Sequence, residues 1–168
     1  LLKQQPLVQH AINRLAPQVA KIIINANRHP DTYAQYTDTV VADIICGYAG
    51  PLAGIHAGMT QATSEWILSV PCDSPFFPED LAPQLFQAAQ QNAADVAIAA
   101  AAGRAQPVFM LAKRQLAADI AATLAGGNGK IDHWYARLPH VVVEFSDAGA
   151  FDNINTLEEL TQAEQRLP

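Results

Sequence analysis

Four polar side chains in this chain follow short apolar runs and are candidates for chemistry: Asn25, Asn27, Asp43 and Asp73. A polar residue directly after a β-branched run is typical of a strand that ends at the rim of a sheet. In open α/β sheets ligands bind beyond the carboxyl ends of the strands. These four side chains are therefore expected to share one site if their strands are neighbours.

Asp73 lies in the segment 71–75 (PCDSP), where it is flanked by prolines that restrict the backbone. A carboxylate held this rigidly suits Mg²⁺, which takes one or two protein carboxylates together with substrate phosphate oxygens. Tightening of a turn explains the same residue equally well. For Asp43, a turn-forming or solvated role is the simpler alternative to ligand binding.

Asn25 and Asn27 can offer amide donors and acceptors to a nucleotide base or ribose. Asparagine also tolerates the left-handed conformation at strand ends, so a structural role stays open. The segment 50–54 (GPLAG) allows a helix to begin close to a ligand. The missing side chain at Gly54 equally permits close packing of that helix against the sheet.

Lys130 ends the segment 126–130 (GGNGK), which superficially resembles a phosphate-binding loop. A P-loop needs glycine where Leu124 stands and serine or threonine where Ile131 stands, so this is not one. Two interpretations of this segment remain open. It is either a turn that presents one cation to an anionic substrate or a turn that simply ends a helix. The five histidines show no zinc-ligand spacing, and no nucleophile elbow is present.

Composition limits the classes of protein. A chain of 168 residues that is 50% hydrophobic and 15% charged predicts one domain over residues 1–168. The net charge of −6 argues against a nucleic-acid surface, and no apolar stretch is long enough to span a membrane. Cys46 and Cys72 are isolated, which fits a reducing compartment and predicts a cytoplasmic protein.

Hydrophobic periodicity supplies the elements that must position these residues. Strands and helices alternate without a linker or repeat, which predicts a three-layer α/β domain. Thr156 and Glu159 form a capping box at the start of a last helix. The predicted strands are 19–24, 39–42, 66–70, 96–101, 108–111 and 141–145, and the predicted helices are 6–16, one from Pro51, one from Pro78, 115–124 and one after Thr156.

Five segments taken in order resemble the landmarks of the molybdenum cofactor guanylyltransferases. The resemblance covers nearly the whole chain, and the ordered set is more specific than any single motif. The segments are 22–28 (IIINANR), 50–54 (GPLAG), 71–75 (PCDSP), 106–107 (QP) and 153–160 (NINTLEEL).

This resemblance implies a Rossmann-like nucleotidyltransferase fold with a mostly parallel central sheet. It implies transfer of GMP from GTP to Mo-molybdopterin, which yields the guanine dinucleotide cofactor and pyrophosphate. By the same resemblance Asn25 and Asp43 contact the nucleotide, and Asp73 is the catalytic residue that binds Mg²⁺.

The resemblance also implies a pterin side to the site. Asn153 and Asn155 are expected to border the pterin, and Lys130 matches a basic position there. Molybdoenzymes or their chaperones are the expected protein partners.

Members of the family open with a strand and a glycine-rich loop that holds the triphosphate, and Leu1 corresponds to a position just after that loop. If the chain begins at Leu1, we expect very weak or absent transferase activity and an open edge in the sheet. Two alternatives remain at this stage. One is another nucleotidyltransferase of the same fold, for a molybdopterin cytidylyl transfer or a sugar or isoprenoid phosphate; the other is a non-catalytic molybdopterin-binding module.

Overall fold

The computed structural model describes residues 1–45, 47 and 50–166. Cys46, one of the two cysteines considered above, lies outside these residues. The strands are β1 Ile24–Asn25, β2 Val40–Val41, β3 Trp66–Ser69, β4 Val96–Ala101, β5 Arg104–Lys113 and β6 His140–Phe145. The helices are α1 Leu7–Leu15, α2 Pro30–Tyr33, α3 Pro51–Gln61, α4 Leu81–Gln91, α5 Ala117–Ala125, α6 Ile131–Tyr135 and α7 Leu157–Arg166, with short 3₁₀ turns at Ala16–Gln18, Arg114–Leu116 and Ala148–Phe151.

The main sheet has the strand order β3-β5-β4-β6. β5 runs antiparallel to both of its neighbours, whereas β4 and β6 are parallel. Three of the four strands therefore point the same way, which confirms the mostly parallel sheet expected from the sequence. β1 and β2 form a separate parallel pair.

Helices cover both faces of the main sheet. The packing of the fully buried strand β4 shows which helices lie on each face. Ala97, Ala99 and Ala101 pack into a core cluster with residues of α1 and α4. Val96 and Ile98 pack into a second cluster with residues of α3, α5 and α6. This alternation of side chains across a strand places apolar residues on both faces, and it confirms the three-layer α/β architecture.

The sequence prediction fails at the turn between β4 and β5. The predicted strands 96–101 and 108–111 leave a loop between them that includes residues 103–107, but β5 already begins at Arg104. Ala102 and Gly103 make the tight turn alone, with φ of 51° and 72°, as a two-residue hairpin with right-handed strand twist requires. Pro107, which has no N–H to give to the ladder, is accommodated where the β4–β5 register shifts.

The strand predicted over 19–24 is also wrong for most of its length. Only Ile24 and Asn25 pair with β2, and Ala20 and Lys21 are exposed. A β-branched run becomes a strand only where a neighbour satisfies its backbone, and propensity does not supply one. Among the described residues β1 pairs only with β2 and β3 only with β5, so one edge of each strand is left open beside a groove.

The helix predictions hold better because caps and periodicity are local. α1, α3, α5 and α7 lie where the sequence places them, while α4 begins at Leu81 rather than Pro78. The capping box is confirmed: the Thr156 hydroxyl accepts from the Glu159 N–H at 3.1 Å, and the Glu159 carboxylate accepts from the Thr156 N–H at 2.9 Å. α2 and α6 were not predicted. In the described part of the chain, no helix has the length and hydropathy to cross a membrane.

Candidate functional site

A cavity of about 970 Å³ opens between β1 and β3. Most of its wall is apolar and comes from α1, α3, β3 and the segment before β1. Asn25, Asn27, Asp43 and Asp73 are among the polar residues that line it. The structure thus brings together the four strand-end residues, although β1 and β3 belong to different sheets.

Asp43 is the centre of a hydrogen-bonded network on the β1–β2 side. The Asn25 side-chain amide donates to one oxygen of its carboxylate at 3.0 Å. The Asn27 amide donates to the other oxygen at 2.8 Å, and the Asn27 carbonyl oxygen accepts from the Asp43 backbone N–H at 2.8 Å. The parallel pairing of β1 with β2 sets this network, because it places Asn25 opposite Val41, two residues before Asp43.

Gly54 of α3 lies directly against Asn25. A Cβ atom at Gly54 would sit 2.5 Å from the Asn25 side-chain oxygen, closer than real contacts allow. The close packing suggested for this glycine is therefore present, and it is against the Asn25 amide itself. The absence of a side chain at Gly54 leaves the room in which Asn25 can reach Asp43.

Asp73, which also lines the cavity, is held by a different arrangement. Its backbone carbonyl accepts from the Ile154 N–H at 2.8 Å. The next residue, Ser74, is fully buried, and its hydroxyl donates to the Asn153 side-chain oxygen at 2.6 Å. The segment that precedes α7 therefore clamps the Asp73 turn, which brings Asn153 next to the proposed metal ligand.

Lys130 and Asn155 lie at the margin of this region. Both are exposed, and neither lines the cavity. The loop before Lys130 passes the start of α3, where the Gly129 carbonyl would be 3.8 Å from a Cβ at Gly50. The Asn155 N–H donates to Glu159 at 2.7 Å, so its backbone belongs to the cap of α7.

Asp73 fits a magnesium ion only in partnership with a substrate. Among the described residues no group of three or more His, Cys, Asp or Glu could hold a metal by itself. One carboxylate plus phosphate oxygens is a coordination that Mg²⁺ commonly adopts, so the donor set agrees with a metal that arrives with a nucleotide.

The neighbouring Cys72 does not extend that site with a thiolate. The residue has exposed surface, yet desolvation by the surrounding protein and, less strongly, the adjacent Asp73 carboxylate raise the pKa of its thiol. The thiol is protonated at neutral pH, and the protonated form is neither a good metal ligand nor a nucleophile.

Sequence reasoning missed two features of the site. Ser74 was seen only as part of a proline-flanked turn, and nothing in that segment indicates that its hydroxyl is fully buried and bonded to Asn153. Asn27 was considered as a direct ligand of a nucleotide, whereas in the structure both ends of its amide are used by Asp43.

Comparison with known proteins identifies a matching family and a similar relative. Residues 1–141 match the family described as MobA-like NTP transferase domain. A molybdenum cofactor guanylyltransferase of Shewanella halifaxensis is 43% identical over 162 residues, which cover 96% of this chain and 81% of that protein.

Solved structures with much lower identity share the fold. Molybdopterin-guanine dinucleotide biosynthesis protein A of Archaeoglobus fulgidus superposes with a TM-score of 0.77 at 19% identity, over 95% of this chain and 84% of that one. The Rv0371c protein of Mycobacterium tuberculosis in complex with manganese has a TM-score of 0.71 at 12% identity, over 96% of this chain and 88% of that one.

Proposed function

We infer, since this chain belongs to the MobA-like NTP transferase family, that it is a nucleotidyltransferase that transfers GMP from GTP to Mo-molybdopterin. The products are the molybdopterin guanine dinucleotide cofactor and pyrophosphate. The observation that carries the choice of nucleotide is the Asp43 carboxylate, which faces the cavity between two asparagine amides. We further propose that residues 1–168 form one nucleotidyltransferase domain.

Asp43 and Asn25 are the proposed contacts to the guanine nucleotide. The Watson–Crick edge of guanine presents two adjacent donors, the ring N1–H and the 2-amino group. A carboxylate is purely an acceptor and can receive both donors through its two oxygens. Cytosine and adenine present an acceptor where guanine has N1–H, so the same carboxylate would repel them.

Asp73 is the proposed catalytic residue and metal ligand. It lines the same cavity as Asp43, and we propose that the triphosphate of a nucleotide whose base is bound at Asp43 extends toward it. Mg²⁺, when bound with the substrate, would neutralise charge on the phosphates and on the departing pyrophosphate. The bond that forms joins a terminal phosphate oxygen of the pterin to the α-phosphorus of GTP, and the bond that breaks joins that phosphorus to the β-phosphate bridge.

Positioning supplies most of the catalysis in such a reaction, since an in-line displacement needs little covalent help from the protein. The rigid Asp73 turn supports this role, because its backbone is tied to Ile154 and its neighbour Ser74 to Asn153.

Asn153, Asn155 and Lys130 are the proposed residues of the pterin side. The side-chain oxygen of Asn153 accepts a hydrogen bond from the Ser74 hydroxyl. The side-chain amide nitrogen of Asn153 is therefore the donor available to a phosphate or to the pterin. Lys130 would attract the anionic substrate from the solvent. We also propose a cytoplasmic setting and contact with molybdoenzymes or their chaperones, which receive the finished cofactor.

Competitive binding of GTP and CTP to the purified protein tests the assignment. We expect Mg-dependent binding with GTP preferred, and release of pyrophosphate when Mo-molybdopterin is added. Preference for CTP would overturn the nucleotide assignment. Pterin binding without pyrophosphate release would overturn the enzymatic one.

A further inference from the structure

The two asparagines that hold Asp43 do so in different ways. Asn25 makes a single bond to the carboxylate, at 3.0 Å, and a long one to the Val41 carbonyl, at 3.4 Å. Asn27 makes two bonds to the same residue, one to the carboxylate and one from the backbone N–H. A pair of bonds between two residues fixes relative orientation as well as distance.

These two hydrogen bonds between Asn27 and Asp43 determine where the Asp43 carboxylate points. Because the Asn27 amide engages both the backbone and the side chain of Asp43, rotation of that side chain would break the bond to its carboxylate oxygen. Each carboxylate oxygen has lone pairs beyond the one that an asparagine uses, so the carboxylate can still accept donors from a ligand. Preorganised acceptors bind a ligand more tightly because no ordering is needed on association.

We propose that Asn27 is a positioning residue for base selection, which holds the Asp43 carboxylate in the orientation that accepts the N1–H and 2-amino donors of guanine. The proposal rests on the function inferred above and adds a specific role to it. Asn27 acts on the nucleotide through Asp43, to which both its amide nitrogen and its amide oxygen are bonded.

Asn27→Ala removes both of the Asn27 bonds and leaves the Asp43 carboxylate held only by its single bond from Asn25. Nucleotide affinities measured by calorimetry with the full protein should show Kd for GTP raised about tenfold, which corresponds to the loss of one hydrogen bond to a charged group. Binding of ITP, which lacks the 2-amino group, should change less, so the preference for GTP over ITP should fall. The affinity for pyrophosphate should be unchanged, and in turnover KM for GTP should rise while kcat is retained.

Asn27→Asp provides a second variant of nearly the same shape. It keeps an acceptor for the Asp43 N–H but places a negative charge beside the carboxylate, so GTP affinity should fall further than in Asn27→Ala. Asn13→Ala is the matched control, because Asn13 is also exposed and makes only a local bond with Gln9. It should leave every affinity unchanged.

An unaltered GTP preference in both Asn27 variants would overturn the positioning role while leaving the proposed function intact. An equal loss for GTP, ITP and pyrophosphate would overturn it as well, because a general structural role would have that effect. A wild-type protein that shows no preference for GTP would overturn the proposed function and this inference together.

Discussion

The two polar walls of the cavity are built in opposite ways. On the β1–β2 wall, exposed asparagines bond to Asp43 over only 16 to 18 positions of sequence. On the Asp73 wall, a fully buried serine bonds to a residue 79 positions away. The first wall can form from one short unit of two strands, whereas the second exists only when the segment before α7 has packed against the middle of the chain. Substitutions on the first wall should therefore change binding, and those on the second should change stability as well.

Replacing Asp73 with alanine is expected to have the largest effect and to separate chemistry from binding. Loss of the proposed metal ligand should lower Mg-dependent turnover about 10³-fold, which is about 4 kcal/mol of transition-state stabilisation. Pyrophosphate release is the measurement. Asp73→Asn, which keeps the shape without the charge, should lose nearly as much. Turnover at the wild-type rate in either variant would remove Asp73 from the metal site.

Ser74→Ala tests whether the Asp73 wall is coupled to the fold. It leaves the Asn153 oxygen without its buried donor, so the free energy of unfolding should drop by about 1–3 kcal/mol. Denaturant titration measures this, and kcat should fall with it because the Asp73 turn loosens. The control is Thr161→Ala, whose exposed hydroxyl bonds only to a carbonyl of its own helix. If the two variants are equally stable, the buried bond does not anchor the turn.

Gly54→Ala tests the opposite expectation for the β1–β2 wall. The new methyl group would displace the Asn25 side chain, so GTP affinity should fall about tenfold, or about 1.4 kcal/mol. Stability should hold or rise, since alanine is favoured over glycine in a helix by about 1 kcal/mol. Gly58→Ala makes the same change in the same helix, where a Cβ meets nothing within 4 Å. Equal GTP affinities for the two variants would contradict a role for the Asn25 position.

The smallest expected effect concerns pH and lies at the start of α7. Hydrogen bonds from the Asn155 and Thr156 N–H groups lower the pKa of the Glu159 carboxyl. A lowered pKa in the folded state stabilises the protein above the ordinary pKa of glutamate, and this contribution disappears as pH falls through the folded value. Glu159→Gln should therefore flatten the acid end of a plot of unfolding midpoint against pH. If the unfolding midpoint of Glu159→Gln falls with decreasing pH just as that of the wild type does, the Glu159 carboxylate does not make this contribution to stability.

The sequence predicted what local patterns determine. The strands β3, β4 and β6 and the Thr156 cap follow from runs of apolar residues and from one short motif. The length of β1 could not be predicted, because a strand exists only where another strand pairs with it. The Ser74–Asn153 bond was equally beyond sequence reasoning, since nothing in either segment indicates that they meet. The rule that ligands bind beyond the carboxyl ends of the strands nevertheless predicted one shared site for Asn25, Asp43 and Asp73, and all three line one cavity.

The close approach of Gly54 to Asn25 has a consequence for how the family can evolve. The two positions lie in separate motifs, yet an amide at 25 leaves no room for a methyl group at 54. A change at one position alters which residues the other can accept, so the two should substitute together across homologues. A lineage that shortens residue 25 would gain freedom at 54, and one that keeps the amide should keep the glycine.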